Sequence, residues 1–498
     1  MDATTLRHVS QGSTARRLGR PAIIPGEGQV RGTANQRGMA TFLDYEPNQP
    51  FLFPPDMREW LPEGHLALFV SDVVDTLDLS GIYRTYEGED RGHPAYHQVM
   101  MIKLLIYGYC VGVTASRKIE DATWLDVAFR VLAANQHPDH DTIAAFRKRH
   151  LGEFRKLFLQ VLRLCQASGL VKLGQVALDG TKVKANASKH KAMSYGRMLK
   201  TEKTLREEIE ELLRRAERAD ASEDALFGKG KRGDELPEEL RRRQSRLKKI
   251  MEAKALLEAE ARAQAAGQER GSEEEKPKQG PGPGPAGGGP ASPEPEEAVP
   301  KSEAQTNFTD PDSRIMWNSS AKSFEQAYNA QAVVDGNCQV IVAAAVTQKA
   351  NDKEQLVPML KLAEWNLGRM PGVILADAGY FSARAVGDEL FSHTEVYVPP
   401  DKHTHGEAPP PLAGPPPEGA SPAERMRYRL RTEPGRQAYA RRKAIVEPVF
   451  GQIKEARGFR RFSLRGFAQV SAEWQLVCLA HNLRKLFRYG SRPTLAEA

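Results

Sequence analysis

The feature that most constrains the fold is a stretch in the middle of the chain that cannot pack. Residues 279–300 read QGPGPGPAGGGPASPEPEEAVP, and Pro and Gly at this density predict a disordered linker. Just before it, residues 200–268 place isolated Leu and Ile among dense Glu, Arg and Lys. That pattern predicts an exposed helical hairpin or coiled coil, broken near residues 227–236. If the sequence before and after this segment forms one compact domain, residues 190–305 must be an insertion into that domain.

The sequence before this insertion predicts a helical region. Residues 1–40 are polar and lack a signal-peptide core, which predicts a disordered tail. Residues 41–169 contain an apolar run at Gln98–Gly108, expected to be a core helix, and an amphipathic helix over 116–135. A further helix is expected over 140–158.

The helix over 140–158 is predicted to begin with Asp141 as its N-cap and to carry a basic cluster. The cluster consists of Arg147, Lys148 and Arg149. Several short helices that end in such a cluster are typical of a DNA-contacting domain. The alternative is a solvated basic face on an ordinary helical domain.

From residue 170 onward, short apolar strands alternate with helices. Val176–Leu178 and 182–187 are read as two half-strands around Asp179, and Tyr328–Val334 as the first strand of a hairpin that turns at Asp335. A strand at Gly372–Ala376 follows a helix, so it can lie parallel to the first strand. The order predicts an α/β domain with a mixed sheet over 170–490, interrupted by 190–305 and by a Pro-rich loop at 399–434.

Two aspartates occupy matched positions in this domain. Asp179 ends the apolar run VALDG and Asp377 ends ILADAGY, each with a glycine close behind. Strand ends of this kind open onto the crevice where α/β sheets bind ligands. A lone Asp at a strand end is usually a turn former. Two in matched settings, in a chain of net charge +7, indicate a functional pair.

A third acid is less obvious from spacing. Glu447 lies in YARRKAIVEPVFGQIK beside an apolar stripe at helical spacing, with Lys443 one turn before it and Lys454 two turns after. A surface ion pair is the alternative interpretation. Pro448 disfavours helical geometry at Glu447, so the helix is expected to kink or to restart there.

Composition limits the class of protein. A net charge of +7 favours a polyanionic partner without requiring one. The four cysteines are scattered and form no CxxC pair, which argues against zinc ligation and disulfides and favours a cytoplasmic protein. No apolar run approaches the roughly 18 residues of a membrane span, so no membrane association is expected. The histidines of HPDH and HTH lack partner clusters, and Asp335 is read as a turn residue.

Four blocks in the α/β region carry a resemblance. LDGTKVKANAS, YNAQAVVD, ILADAGYFS and VEPVFGQIK resemble the signature blocks of bacterial insertion-sequence transposases. These belong to the DDE superfamily with an RNase H-like fold. FRKRHLGEF is similar to the end of an InsH-like helical N-terminal domain, and HNLRKL fits the C-terminal part. The resemblance covers roughly residues 40–195 and 306–488.

The resemblance implies specific residues. Asp179, Asp377 and Glu447 match the catalytic, metal-binding DDE triad of the family. A tyrosine, an arginine and a lysine accompany the glutamate in the family pattern. Lys454 has the expected gap of six residues after Glu447, and Tyr439 and Arg442 have the expected gap between them. Four residues instead of three separate Arg442 from Glu447, so Lys443 competes for the role of the arginine.

The implied activity is a DNA transposase that cleaves transposon ends and transfers the freed 3′ hydroxyl into target DNA. Two Mg²⁺ ions, for which Mn²⁺ can substitute, would assist this chemistry. Asp179 would bridge both ions, with Asp377 on one and Glu447 on the other. The expected partner is DNA, bound by a homodimer near the bacterial nucleoid. The alternatives are a stand-alone RNase H-like nuclease and a non-catalytic DNA-binding or coiled-coil protein derived from a transposase.

Overall fold

The structure is a computed structural model. It describes residues 56–87, 94–227, 238–273, 298–318, 322–401, 410–412 and 414–490. The predicted tail at 1–40, the break near 227–236, most of the linker at 279–300 and both histidines of HTH lie outside these residues.

The N-terminal region is helical. Its helices are α1 (Leu66–Thr76), α2 (Ser80–Tyr83), α3 (Gln98–Val111), α4 (Ser116–Leu125), α5 (Val127–Leu132), α6 (His140–Arg149) and α7 (Leu151–Ala167). Almost every residue of α3 is buried, which confirms the predicted core helix. Within the described ranges, no single helix has the length and apolar composition to span a membrane, although α3 and α4, bent by 98°, pass that test together.

Two helix predictions in this region need correction. The helix expected over 140–158 is two helices that meet at His150, and its N-cap is Asp139, whose carboxylate accepts a hydrogen bond from Thr142 N. Asp141 lies inside the first turn, where its charge favours the helix dipole. The segment 116–135 is likewise divided, because Asp126 caps α5 and ends α4.

The second region is built on a mixed sheet, as predicted. Its strands are β1 (Gln175–Lys184), β4 (Arg314–Asn318), β5 (Ser323–Asp335), β6 (Ile341–Thr347), β7 (Val373–Ala376) and β8 (Glu395–Tyr397). The order is β4-β5-β1-β7-β8, with β6 also paired to β5. β5 is antiparallel to its partners, whereas β1, β7 and β8 are parallel. A separate ribbon pairs β2 (Ala192–Ser194) with β3 (Gln305–Asn307).

The first strand differs from its prediction. The two half-strands around Asp179 are one strand of ten residues. β5 pairs with it continuously from Val176 to Lys184, so the backbone at Asp179 and Gly180 stays extended. Its other partner, β7, pairs only as far as Leu178, opposite Ala376. Asp179 therefore lies inside β1, at the point where the sheet loses a strand on one side.

Five helices complete this region. They are α10 (Leu356–Leu367), α11 (Ala383–Val386), α12 (Pro422–Arg431), α13 (Glu433–Gly451) and α14 (Phe467–Tyr489). The predicted Pro-rich loop at 399–434 contains α12, which Ser421 and Glu424 start with a capping box. Between β7 and β8 the chain forms the single helical turn of α11 and a 3₁₀ turn at Glu389–Phe391.

Pro448 lies within a continuous helix, so of the two expected outcomes, a kink or a restart, the restart is wrong. α13 runs through Pro448 to Gly451 and continues as a π-helical turn at Gln452–Ala456. A proline cannot donate to the carbonyl four residues earlier. That carbonyl, on Ala444, accepts a hydrogen bond of 2.9 Å from the side-chain amide of Gln339. The partner that the helix lacks is thus supplied from the turn between β5 and β6.

The charged segment 200–268, predicted to be helical, is helical in its described parts. α8 (Tyr195–Phe227) and α9 (Glu238–Glu273) pack on each other. They enclose a small hydrophobic cluster that is separate from the main one. Its buried members are Tyr195, Met198, Leu205, Ile250, Ala253 and Leu257. The main hydrophobic cluster runs through the N-terminal helices and the sheet alike, joined by α14, which packs on α3, α7 and β6.

Candidate active site

Asp179 and Asp377 lie side by side. The last parallel pair between β1 and β7 joins Leu178 to Ala376, so the two aspartates occupy the next position on each chain. Each carboxylate is oriented by the backbone that follows it. Gly180 N donates to Asp179 Oδ1 and Gly379 N donates to Asp377 Oδ1, both at 2.8 Å. The sheet therefore presents two carboxylates at one point of its edge.

The charges at this point are crowded. Burial and the negative charge of Asp377 raise the pKa of Asp179 to about 6, while Arg442 acts to lower it. Two like charges in a partly desolvated site favour either a proton or a cation. The side chain of Asp179 is still 20% exposed, so a cation can reach it. Carboxylate oxygens are the ligands that Mg²⁺ prefers, and the pair fits such an ion chemically.

Helix α13 places Arg442 at the aspartates. Its guanidinium is buried and donates to Asp179 Oδ2 at 3.3 Å, and it lies 4.0 Å from Glu447 Oε1. Tyr439 lies one turn earlier on α13, where burial raises its pKa and the charge of Arg442 acts to lower it. Lys443 is exposed. Of the two residues that compete for the basic position, Arg442 is therefore the one in contact with the carboxylates.

Glu447 contacts Arg442 but makes no direct contact with Asp179 or Asp377 that would group the three acids. Its side chain is 57% exposed, and its contact with Arg442 is at 4.0 Å. Among the described residues, no three Asp, Glu, His or Cys side chains are grouped closely enough to hold one metal ion. The structure thus brings Asp179, Asp377 and Arg442 together and leaves Glu447 at the rim.

Lys454 is tied to the strand that carries Asp179. Its ammonium donates to Lys182 O at 2.8 Å, and burial lowers the pKa of Lys454. The contact comes from the π-helical turn after α13. Lys454 is therefore a partly buried residue with a structural contact as well as a charge near the site.

Asp352 is a residue of this site that the sequence analysis missed. Its Oδ1 accepts hydrogen bonds from Asn329 Nδ2 at 2.6 Å and from Gln331 Nε2 at 2.7 Å. Both amides are fully buried on β5. The only signal in the sequence was an Asn and a Gln at alternate positions of an otherwise apolar strand, since buried amides need partners.

Two glycines make room for Asp352. A Cβ atom on Gly180 would lie 3.0 Å from Asp352 Oδ1 and 2.9 Å from Asn329 Oδ1. A Cβ atom on Gly379 would lie 3.7 Å from Asp352 Oδ2. The glycines that follow the two aspartates thus let a third aspartate approach them.

The basic cluster of α6 is only partly at the surface. Arg147 is buried and donates to Tyr109 OH at 3.1 Å and to Thr114 O at 2.9 Å. These contacts use its guanidinium inside the protein, which corrects the expectation that it is exposed to a partner. Lys148 is exposed, and Arg149 lies 4.0 Å above the ring of Tyr86.

The described geometry defines a mixed α/β protein with a helical N-terminal region and an acidic site on its sheet. Comparison with family models then gives two matches. Residues 55–149 match the transposase domain DUF772, and residues 417–487 match the transposase DDE domain. Comparisons with curated proteins and with solved structures give no match.

The two matches show that the chain carries an InsH-like DUF772 transposase domain in its N-terminal region and a transposase DDE domain in its C-terminal region. The resemblance found in the sequence blocks is thereby confirmed. Membership implies transposition, with DNA as the partner and a divalent metal as cofactor. The DDE match contains Tyr439, Arg442, Glu447 and Lys454, whereas Asp179 and Asp377 lie outside it.

Proposed function

We propose that this transposase cleaves transposon ends and joins them to target DNA, with Asp179, Asp377 and Glu447 as its metal-binding carboxylates. The observation that carries the proposal is the pair of neighbouring aspartates, one inside β1 and one directly after β7. α13 lies against both strands and brings Arg442 to the pair. The strands follow the order β6-β5-β1-β7-β8, in which β5 runs antiparallel to both of its neighbours and β1, β7 and β8 run parallel to one another. This topology supports an RNase H-like domain over 170–490.

Each residue has a role that its contacts support. Asp179 and Asp377 hold the metal-facing oxygens in place through the bonds from Gly180 N and Gly379 N. Divalent cations, when bound, activate the attacking oxygen and neutralise the leaving oxygen. Glu447 is exposed, so a change of its rotamer can bring it towards the pair. Until Glu447 moves, the guanidinium of Arg442 offsets the negative charge of Asp179.

DNA contacts are proposed for exposed or partly exposed residues near the site and on α6. Tyr439, Lys443 and Lys454 flank the carboxylates along α13 and its π-helical turn. Lys148 and Arg149 lie at the end of α6, in a DNA-contacting domain proposed for 41–169. Arg147 is left out because its guanidinium is used inside the protein. Two protomers are proposed to pair two DNA ends.

The test is a strand-transfer assay on labelled DNA that carries the two ends of the element, with Mg²⁺ or Mn²⁺. Asp179→Asn, Asp377→Asn and Glu447→Gln should each reduce cleavage by at least about 10²-fold, since each removes a charged ligand. End binding should remain, because basic residues supply most of the affinity. Glu455→Gln, an exposed acid eight residues after Glu447, is the matched control and should cleave normally.

The outcomes separate the candidate functions. Joined products indicate a transposase. Cleavage without joining indicates a nuclease, and binding without either indicates a DNA-binding protein. Near-normal cleavage by any one of the three variants would remove that residue from the proposed triad.

A further inference from the structure

Lys182 is a cation that neither the motif nor the family pattern assigns to the site. It lies on β1, three residues beyond Asp179, and its side chain is only 19% exposed. Its Nζ is 3.9 Å from Asp352 Oδ1, and among the described residues no acceptor lies within hydrogen-bond distance of it. An ammonium group has three N–H donors, which here are left to solvent water.

The surroundings of Lys182 are acidic. Burial lowers the pKa of Lys182, and Asp352, Asp179 and Asp377 counteract this in that order. Asp352 Oδ1 already accepts two amide hydrogen bonds, so its attraction for Lys182 is electrostatic. Lys182 is therefore held by the summed charge of three aspartates instead of by a specific hydrogen bond.

We propose that Lys182 is a second resident counter-ion of the aspartate cleft, beside Arg442, and that a divalent cation displaces Lys182, whose ammonium then binds a phosphate oxygen of the DNA. The inference rests on the proposed function, because it requires that Asp179 and Asp377 bind the metal.

Charge balance is the physical reason. Lys182 Nζ lies 3.9 Å from Asp352 and is also under the influence of the charges of Asp179 and Asp377, so its ammonium repels an incoming divalent cation, and the repulsion is weakly screened in a partly buried site. Removing that charge while keeping the shape should strengthen metal binding by about tenfold or more.

The displaced ammonium also has an obvious new partner. Its donors have no acceptor among the described residues, its stem is flexible, and a phosphate oxygen is the acceptor that DNA brings to the cleft. The contact is therefore expected only after the metal has neutralised the aspartates.

Lys184 provides a matched control. It lies two residues further along β1, so it points to the same face of the sheet. Its ammonium is 2.6 Å from Glu325, away from the three aspartates. Lys184→Gln removes the same charge from the same strand without freeing the aspartates.

The first measurement is calorimetric titration of Mn²⁺ into the full chain without DNA. Lys182→Gln should bind Mn²⁺ at least about tenfold more tightly than wild type, whereas Lys184→Gln should stay within about threefold. Lys182→Arg keeps the charge and should also stay within about threefold. An unchanged or weaker affinity in Lys182→Gln would overturn the proposal. So would equal strengthening in Lys184→Gln.

The double variant Asp179→Asn/Asp377→Asn separates this inference from the proposed function. If it binds Mn²⁺ as tightly as wild type, the aspartates are not the metal site and the proposed function fails. If it loses Mn²⁺ while Lys182→Gln binds no better than wild type, only the counter-ion role fails.

The second measurement is the affinity for end DNA, in EDTA and in Ca²⁺. Lys182→Gln should lose several-fold in Ca²⁺ and little in EDTA, because the ammonium is released only by a cation. A change of charge at Lys184 should have the same effect in both conditions. An equal loss for Lys182→Gln in both conditions would show that Lys182 reaches DNA without being displaced, and would refute the proposal. Melting temperatures in EDTA establish that each variant is folded.

Discussion

Glu473 on α14 accepts hydrogen bonds from two other parts of the chain. It is fully buried. Its Oε1 accepts from Tyr109 OH at 2.7 Å, and its Oε2 accepts from Ser463 N at 2.9 Å and from Leu464 N at 3.0 Å. Tyr109 in turn accepts from Arg147. One carboxylate therefore links the N-terminal helices to the loop that follows the π-helical turn.

The effect of Glu473→Ala can be worked out from these contacts. It leaves three donors without an acceptor, and an unsatisfied buried donor costs about 1–3 kcal/mol. Tyr109 is buried, but the two backbone amides belong to a partly exposed loop where water can replace the carboxylate. We therefore expect the full cost for the Tyr109 hydroxyl and only part of it for each of the two backbone amides. We expect the free energy of unfolding to fall by about 3–5 kcal/mol, including the cavity.

Urea unfolding of the full chain, followed by circular dichroism and tryptophan fluorescence, measures this change. Glu473→Gln keeps the shape and one acceptor oxygen, so it should lose about half as much. The exposed Glu455→Ala is the control and should change stability by less than about 0.5 kcal/mol. A loss below about 1 kcal/mol in Glu473→Ala would refute the reasoning, because it would mean that water satisfies all three donors.

Three further predictions concern other parts of the molecule. Burial lowers the pKa of His150 to about 4, so the unfolded chain takes up its proton first as the pH falls below about 6.5. The free energy of unfolding should therefore fall between pH 6.5 and 4, by up to about 1.4 kcal/mol per pH unit. Urea unfolding of His150→Gln at several pH values should show a smaller fall over this range. Parallel curves of stability against pH for wild type and variant would contradict the prediction. Ile250→Asp should expose the hairpin to limited proteolysis and leave the main unfolding transition unchanged, because its cluster is separate; a lowered main transition would show coupling. Lys454→Met should lower the slope of log affinity for DNA against log salt concentration by about one. It should also lower the free energy of unfolding by about 1 kcal/mol, because the hydrogen bond to Lys182 O is lost. An unaltered slope would remove Lys454 from the DNA contacts.

Local patterns in the sequence determined several elements. The Asp335 turn is confirmed, since its carboxylate accepts from Leu173 N at 2.8 Å and from Asn337 N at 2.9 Å. The burial of α3, the helices of the insertion and the position of Asp377 directly after β7 also followed from the sequence. In each case the signal lies within about fifteen residues, as a hydrophobic period, a turn dipeptide or a charge pattern.

The remaining features depended on partners far along the chain. Asp179 stays in an extended strand because β5, some 150 residues later, pairs with every residue around it. The surroundings of Asp352 and Lys182 are also not local in the sequence, since Asp352 accepts from residues 21 and 23 positions earlier, on β5, and Lys182 lies near Asp352 from a separate strand. The packing of α13 on the sheet turns Arg442 inward and Lys443 outward, and α6 turns Arg147 into the core. A sequence states which residues can be charged or apolar, but only tertiary packing decides which face is buried and which distant group satisfies a donor.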